Sequence, residues 1–490
     1  MASCCLCTSR TTLKSVPPSI VVCSTSQIAC LPWSHACSMT HQRRVFVQIP
    51  SYRDAQLIPT LIDLADNAAL PAAIRVVVCW QHGAEENIEA FESFGMRLDC
   101  TASVDGRAVH SLVYRGVTIE LIDVPFQEAE GAGWARSMAQ KRYKGEEYNL
   151  QIDAHHRFAQ GWDIQMVTML ESLMSVSSKP LLTGHPPAFL PEDYPEGRQE
   201  HASVMMVDEF TPLGVVRFRA KRVPSTVARA RPWRARFMSG GFVFSRGSFI
   251  GDVQQDPNHF FATEEVVMTV RAYTRGYDMF HPHVALLWHY YGNNSPKVWV
   301  DHATDPAGVR STGKVVDERM LASAWRARSL LGLVSEARDR KDDVFGLGGV
   351  RTLQEYERYA GVSFSLRGVH ASAMPGVEPG ESLLDIQAAE WEAELICRRR
   401  IRVVVSFNPT ERVELYSAQV CMKTVCGEVV VVRDLSSQEV FVLSTGSPLE
   451  FPYEHSSGPR GLPSAFAVEA ATDHPDAQRF FAVAACEFLD

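Results

Sequence analysis

The sequence predicts an α/β fold: a doubly wound, mostly parallel sheet followed by a small β-rich C-terminal domain. Three observations lead there. Short apolar runs alternate with amphipathic helical stretches between Arg43 and Asp153, the pattern that puts helices on both faces of a parallel sheet. The last of these runs, YNLQID, ends at Asp153, and the carboxyl ends of strands are where open α/β sheets hold their ligands. Beyond Arg398 the pattern changes to β-type runs broken by Asn, Gly, Ser and Pro, which predicts a separate domain.

In chain order, VFVQI (45–49) reads as a buried strand. DAQLIPTLIDLADNA follows as an amphipathic helix with Leu57, Leu61 and Leu64 on one face. The alternation continues through the strand IRVVVCW (74–80), helical EENIEAFESF, the strand VTIELIDV (117–124), a helix around WARSMAQKRY and the strand YNLQID (148–153). Residues 217–236 pack eight basic side chains into twenty positions. Pro224 and Pro232 rule out a continuous helix there, so the segment reads either as a solvated loop or as one facing a phosphate or an acceptor. TEEVVMTVRAYTRG is helical, with Thr263 as N-cap and Gly276 as the stop. ERMLASAWRARSLLGL and RTLQEYERYAG are helical and charged, whereas IRVVVSF, EVVVVRD and EVFVLST are β-type. These patterns divide the chain into a tail (1–42), an α/β domain (43–300), a helical extension and linker (301–394) and a β-rich domain (395–490).

The 490 residues carry 46% apolar side chains, 21% charged ones and a formal charge of -9. That composition is ordinary for a globular protein and argues against nucleic-acid binding by bulk charge. No uncharged apolar run reaches the length of a membrane span. Six of the twelve cysteines crowd into the first forty residues and the rest are scattered, which is not a disulfide framework. A reducing compartment fits Cys79 and Cys486, each set in an apolar run, and predicts a cytoplasmic location. The tail lacks acidic residues and is rich in Ser, Thr and Cys, a composition shared by disordered tails and organellar addresses.

Within QIDAHHRF, Asp153 and His155 stand two positions apart at a strand's carboxyl end, a spacing that turns both side chains to one side. A carboxylate and an imidazole suit manganese, magnesium or a similar divalent ion, with diphosphate oxygens and water completing its shell. A capping Asp beside a structural His would look the same on spacing alone.

Seven motifs in order settle the weight: SYRDAQLIPTL, VVVCWQH, ARSMAQKRYKGEEYNLQIDAHHRFAQGWD, SGGFVFSRGSF, EEVVMTVRAYTRGYDMFHP, LLWHYYG and GLGGVRTLQEYERYAG. Together, over roughly residues 43–366, they resemble the cytoplasmic protein-hydroxyproline N-acetylglucosaminyltransferase family that modifies a ubiquitin-ligase subunit. The resemblance implies a GT-A-type glycosyltransferase domain over 43–300, a UDP-N-acetylglucosamine donor, a divalent metal and retention of anomeric configuration. By that likeness Asp153 and His155 form a DxD-like metal motif and His289 in LLWHYYG supplies a third ligand. It makes Arg53 and Asp54 candidates for uridine or diphosphate contact, although Asp54 also suits a helix-capping turn. Arg136 is expected at the diphosphate or paired with a carboxylate. Gly240 and Gly241 are expected where donor sugar and acceptor meet, close to other backbone. Asp153, Glu264 and Glu265 are the catalytic candidates, one of the two glutamates binding sugar hydroxyls or orienting the acceptor. Family members often have Gly where Thr263 stands, so the choice between the glutamates stays open.

The implied reaction is transfer of N-acetylglucosamine to a protein hydroxyl, hydroxyproline among the candidates. Two other readings stay open: a binding or scaffold protein that retains the fold without turnover, and a transferase acting on a small molecule or glycan.

Overall fold

The computed structural model describes residues 45–487, apart from 212–213, 223–230, 293–294, 305–314, 335–342, 374–377, 380–382 and 411. The tail 1–42 and the middle of the basic segment lie outside the described residues. All described residues belong to one compact unit, Arg43–Asp490.

The central sheet has ten strands. Its first five are β1 (Val45–Tyr52), β2 (Ile74–His82), β3 (Arg97–Val104), β4 (Arg107–Tyr114) and β5 (Val117–Pro125). They are followed by β6 (Tyr148–Ile152) and the short β7 (His156–Phe158), which lies outside this sheet. Next come β8 (Pro180–Thr183), the pair β9 (Ser203–Phe210) and β10 (Val216–Arg222), then β11 (Trp233–Arg234), β12 (Phe242–Arg246), β13 (Asp278–His281) and β14 (Leu287–His289). The sheet order is β11-β13-β8-β12-β6-β1-β2-β5-β4-β3. Strands β6, β1, β2 and β5 run parallel, as do β8 and β13. The expected parallel sheet is therefore its centre, flanked by antiparallel β12 on one side and the β3–β4 hairpin on the other.

Period-two alternation explains why both faces are covered. Val45, Val47 and Ile49 of β1 join the core formed with helix α1 (Leu57–Asp66), where Leu57, Leu61 and Leu64 are buried as their spacing predicts. Phe46, from the same strand, points to the opposite face and packs near Ala135 and Ala139 of helix α3 (Ala132–Gln140). The intervening helix α2 (Ile88–Ser93) is short, and Asn87 caps it by accepting the Ala90 N–H. Helices α4 (Trp162–Ser172), α5 (Ser248–Asp252) and α6 (Glu264–Thr274) follow. The buried side chains of α6 form a further core with β8, β12 and β13.

Helix α6 starts after Thr263 as expected, but the Thr263 hydroxyl meets His259 Nδ1 at 2.7 Å instead of capping the helix backbone. Gly276 follows the helix with φ +87°, the left-handed conformation that ends it. The charged stretches after Asp301 form helices at Val316–Leu330 and Leu353–Ala360.

The C-terminal part is β-rich, with two sheets enclosing their own apolar cluster around Val403, Val405, Val420 and Leu443. One sheet pairs the long strand Leu395–Phe407 with Leu449–Ser457 and Phe481–Glu487. The hairpin at Val362–Ser363 and Gly368–His370 extends that sheet. One expected strand is a helix: Ser437–Ser444 covers most of EVFVLST. Its Ser436 hydroxyl and Glu439 carboxylate form a reciprocal capping box, and this local hydrogen bonding outweighs the β-propensity of Val440, Phe441 and Val442. No helix of the described residues is long and apolar enough to cross a membrane.

Candidate active site

Strand β6 delivers Asp153 to the carboxyl edge of the sheet, and the chain turns through Ala154 and His155 into β7. Strand β7 pairs antiparallel with β14, setting His156 opposite His289. This small ribbon brings His289 back across 134 residues, so that its Nε2 lies 3.0 Å from His155 Nε2 and 3.5 Å from Asp153 Oδ2. One donor atom from each of Asp153, His155 and His289 falls within 4.8 Å of the others. The three residues expected to share a cation are together.

Their surroundings orient them. Asp54 Oδ2 accepts the Nδ1–H of His155 at 2.8 Å, which leaves the His155 Nε2 lone pair facing His289 and Asp153. Asp54 also accepts the Gln56 N–H at 2.9 Å, so the expected turn and a link to the site are both present in one carboxylate. Arg136, 5% exposed, reaches Asp153 Oδ1 at 3.2 Å and Glu264 Oε1 at 3.3 Å. Arg136 thus makes the carboxylate pairing that was one of its two expected roles, and it also lines the cleft described below. Burial opposes ionisation of Asp153, but the hydrogen bond from His289 and the charge of Arg136 hold its carboxyl well below the usual range. Burial lowers the His289 pKa and so favours the neutral ring that can donate a lone pair.

A divalent ion fits this donor set. Around a six-coordinate ion with ligands at about 2.1 Å, adjacent donors stand about 3 Å apart, close to the spacing of the two ring nitrogens. One carboxylate with two imidazoles matches the preferences of borderline metals better than those of calcium.

These groups lie in a cleft of about 530 Å³ that Tyr52, Gln81, Gly241, Glu264, Glu265, Lys297 and Trp299 also line. Burial raises the pKa of Glu264 above the usual carboxylate value, against the pull of Arg136. Burial does the same to Glu265, opposed by the Gly240 N–H that donates to Oε1 at 2.7 Å. Oε2 of Glu264 is buried without a hydrogen-bond partner among the described residues, an acceptor whose desolvation they leave uncompensated.

The glycines are required by space. A Cβ on Gly241 would stand 2.7 Å from Asp153 Oδ2, and one on Gly240 would press on the Arg136 guanidinium at 3.1 Å.

Arg53 sits between the cleft residues Tyr52 and Asp54. It is not among the cleft-lining residues; its guanidinium pairs with Asp301 at 2.9 Å and Glu85 at 3.3 Å and stacks on Phe126. The Tyr52 hydroxyl donates to the same Asp301 oxygen at 3.0 Å. Asp301 lies on helix α7 (Val298–Thr304), whose first residues Val298 and Trp299 line the cleft, so Arg53 steadies the helix that forms this part of the wall.

Sequence reasoning missed Gln81, Lys297 and Trp299. Gln81 had a signal, since it sits at the carboxyl end of β2 beside the switch between β1 and β6. Lys297 and Trp299 follow LLWHYYG without a distinguishing pattern.

The model of the family described as Glycosyltransferase (GlcNAc) matches residues 44–366, and the chain belongs to that family. Solved structures overlap it loosely. GalNAc-T7 with UDP, GalNAc and Mn2+ is 14% identical with a TM-score of 0.40, and the match covers 62% of this chain and 55% of that one. TarS of S. aureus with UDP is 13% identical at a TM-score of 0.32, covering 65% and 79%. The mannosyltransferase PcManGT of Pyrobaculum calidifontis with GDP-Man and Mn2+ is 12% identical at 0.32, covering 62% and 79%. This chain thus spans little more than half of GalNAc-T7, and the assignment rests on the family match. No curated protein gives a significant match.

Proposed function

We propose that this protein is a metal-dependent retaining glycosyltransferase that moves N-acetylglucosamine from UDP-N-acetylglucosamine to a protein hydroxyl, hydroxyproline being the acceptor the sequence resemblance suggests. The observation that carries the reading is the convergence of Asp153, His155 and His289 beside Glu264 and Glu265 in one cleft. Asp153, His155 and His289 would hold a divalent ion, which when bound neutralises charge on the departing diphosphate.

The remaining work falls to the chain's own residues. Arg136 pairs with Asp153 and Glu264 and fixes both. Asp54 keeps His155 in the tautomer that presents a lone pair. Glu264 Oε2, unpartnered among the described residues, would accept a sugar hydroxyl, and Glu265 is fixed by the Gly240 N–H. In the transfer the bond from the anomeric carbon to the diphosphate breaks and a bond to the acceptor oxygen forms on the same face. The acceptor proton passes to a departing phosphate oxygen. No protein nucleophile is assigned, and catalysis rests on positioning and charge stabilisation.

The test is a screen of UDP-sugars with manganese and a pool of protein acceptors, read as UDP release and by mass spectrometry of the modified site. Release with UDP-N-acetylglucosamine that Asp153→Ala abolishes supports the reading. An intact protein inert with every UDP-sugar would overturn it.

A further inference from the structure

The ribbon β9–β10 stands apart from both large sheets and forms one wall of the cleft. Asp208, Val216, Arg217 and Phe218 all line it. Strand β9 is the inner member: Val204, Met205 and Met206 are buried, and His281 Nε2 accepts the Met205 N–H at 3.3 Å. Phe218 anchors the ribbon by stacking on Phe237, with ring centroids 4.4 Å apart. Strand β10 is therefore the outer member, and no other strand pairs with it among the described residues.

The charge on that outer strand is one-sided. Arg217, Arg219, Lys221 and Arg222 are all exposed along it. Two carboxylates of β9 answer them: Arg217 meets Glu209 at 3.0 Å and Arg219 meets Asp208 at 3.6 Å. Arg400 of the C-terminal sheet reaches the same Glu209 at 3.7 Å. Counted over the two strands, four basic side chains stand against two acidic ones, on a chain whose formal charge is -9.

From these observations we infer that the outer edge of β10 is the docking strand for an acidic, extended segment of the acceptor protein. Such a segment adds alongside β10 by main-chain hydrogen bonding, its carboxylates meeting Arg219, Lys221 and Arg222, and runs toward the cleft at Arg217 and Phe218. Seven residues of strand span about 23 Å, enough for a peptide but a short footprint for nucleic acid, which the overall negative charge also repels. Cationic side chains on an open edge strand also guard against aggregation. What points to a ligand here is that the strand leads into the cleft. The inference rests on the transferase reading in one respect, that the docked segment carries the acceptor hydroxyl.

The experiment uses the full chain and a fluorescein-labelled peptide, rich in glutamate and bearing one hydroxyproline, with a lysine-for-glutamate peptide and an oligoribonucleotide as comparisons. Anisotropy reads binding, and UDP release from UDP-N-acetylglucosamine is followed on the same preparation. The acidic peptide is expected to bind at least about tenfold more tightly than the other two and to weaken with salt. The triple variant Arg219→Glu, Lys221→Glu, Arg222→Glu should remove that preference and raise the peptide KM, while slow donor hydrolysis without peptide stays unchanged. Should the triple variant fail to fold, Lys221→Glu alone should show a smaller shift in the same direction. Equal binding of the three probes, or acidic-peptide binding that survives in folded variants, overturns the inference. Peptide binding without turnover of any donor would instead count against the transferase reading and leave the docking strand standing.

Discussion

The substitution Asp54→Asn separates a positioning role from a merely structural one. Asp54 is 8% exposed and uses its two oxygens differently, Oδ1 accepting from Gln56 N–H at 2.9 Å and Oδ2 from His155 Nδ1 at 2.8 Å. An asparagine keeps the first bond, so the turn into α1 survives. Its amide nitrogen then faces His155 and donates to Nδ1, which moves the ring proton to Nε2. That proton occupies the lone pair directed at His289 and Asp153. Losing such a partner of a metal-bound histidine typically costs about 10–100-fold in metal affinity, equivalent to about 1.4–2.8 kcal/mol. Manganese affinity is measured by calorimetry in the presence of UDP, with thermal melting as the check on folding. The expected result is weakened manganese binding at an unchanged melting temperature. Wild-type manganese affinity in a folded Asp54→Asn protein would refute the placement of His155 Nε2 in the metal site.

Other expectations follow from the same geometry. Gly241→Ala puts a methyl group 2.7 Å from Asp153 Oδ2, so turnover should fall sharply in a kinetic assay, whereas Gly251→Ala, with open space around it, should leave kinetics unchanged. Asp301→Ala releases both Arg53 and Tyr52 and should raise the donor KM by about tenfold, the worth of a charged hydrogen bond. Outside the residues that line the cleft, Glu120 and Glu146 are buried with Arg75, and Glu120 also meets Arg142 and Lys144. Burial alone would raise both pKa values, but these cationic partners depress them. Their contribution is therefore present above the unfolded value of about 4.3 and lost as pH falls through the folded values. Melting curves across that range should show the loss, with a shallower acid dependence in Glu120→Gln, Glu146→Gln. Ser436→Ala breaks the capping box of Ser437–Ser444 and should cost about 1 kcal/mol in denaturant unfolding.

What was legible in the sequence follows from which interactions are local. The strands containing VFVQI, IRVVVCW, VTIELIDV and YNLQI are apolar because both their faces are covered, and they stand out for that reason. The hairpin β3–β4 did not stand out: most of RLDCTASV is exposed at the sheet's edge, and its pattern carries no buried face. EVFVLST misled by propensity, although Ser436 and Glu439 already spelled a capping box three residues apart. At the site, Asp153 and His155 were visible from their position at the end of a strand, while His289 needed the resemblance. The partners of Arg136 and Asp54 lie 17, 128 and 101 residues away, and only the folded topology brings them together. The pairing of Arg53 with Asp301 spans 248 residues and is likewise set by the topology.

The measurement that bears most directly on the central claim is calorimetric titration of UDP into the protein with and without manganese, for the wild type and for His289→Ala. Tight UDP binding should require manganese, disappear on chelation and be lost in the folded variant. UDP binding that is indifferent to manganese, or that His289→Ala leaves intact, would contradict it.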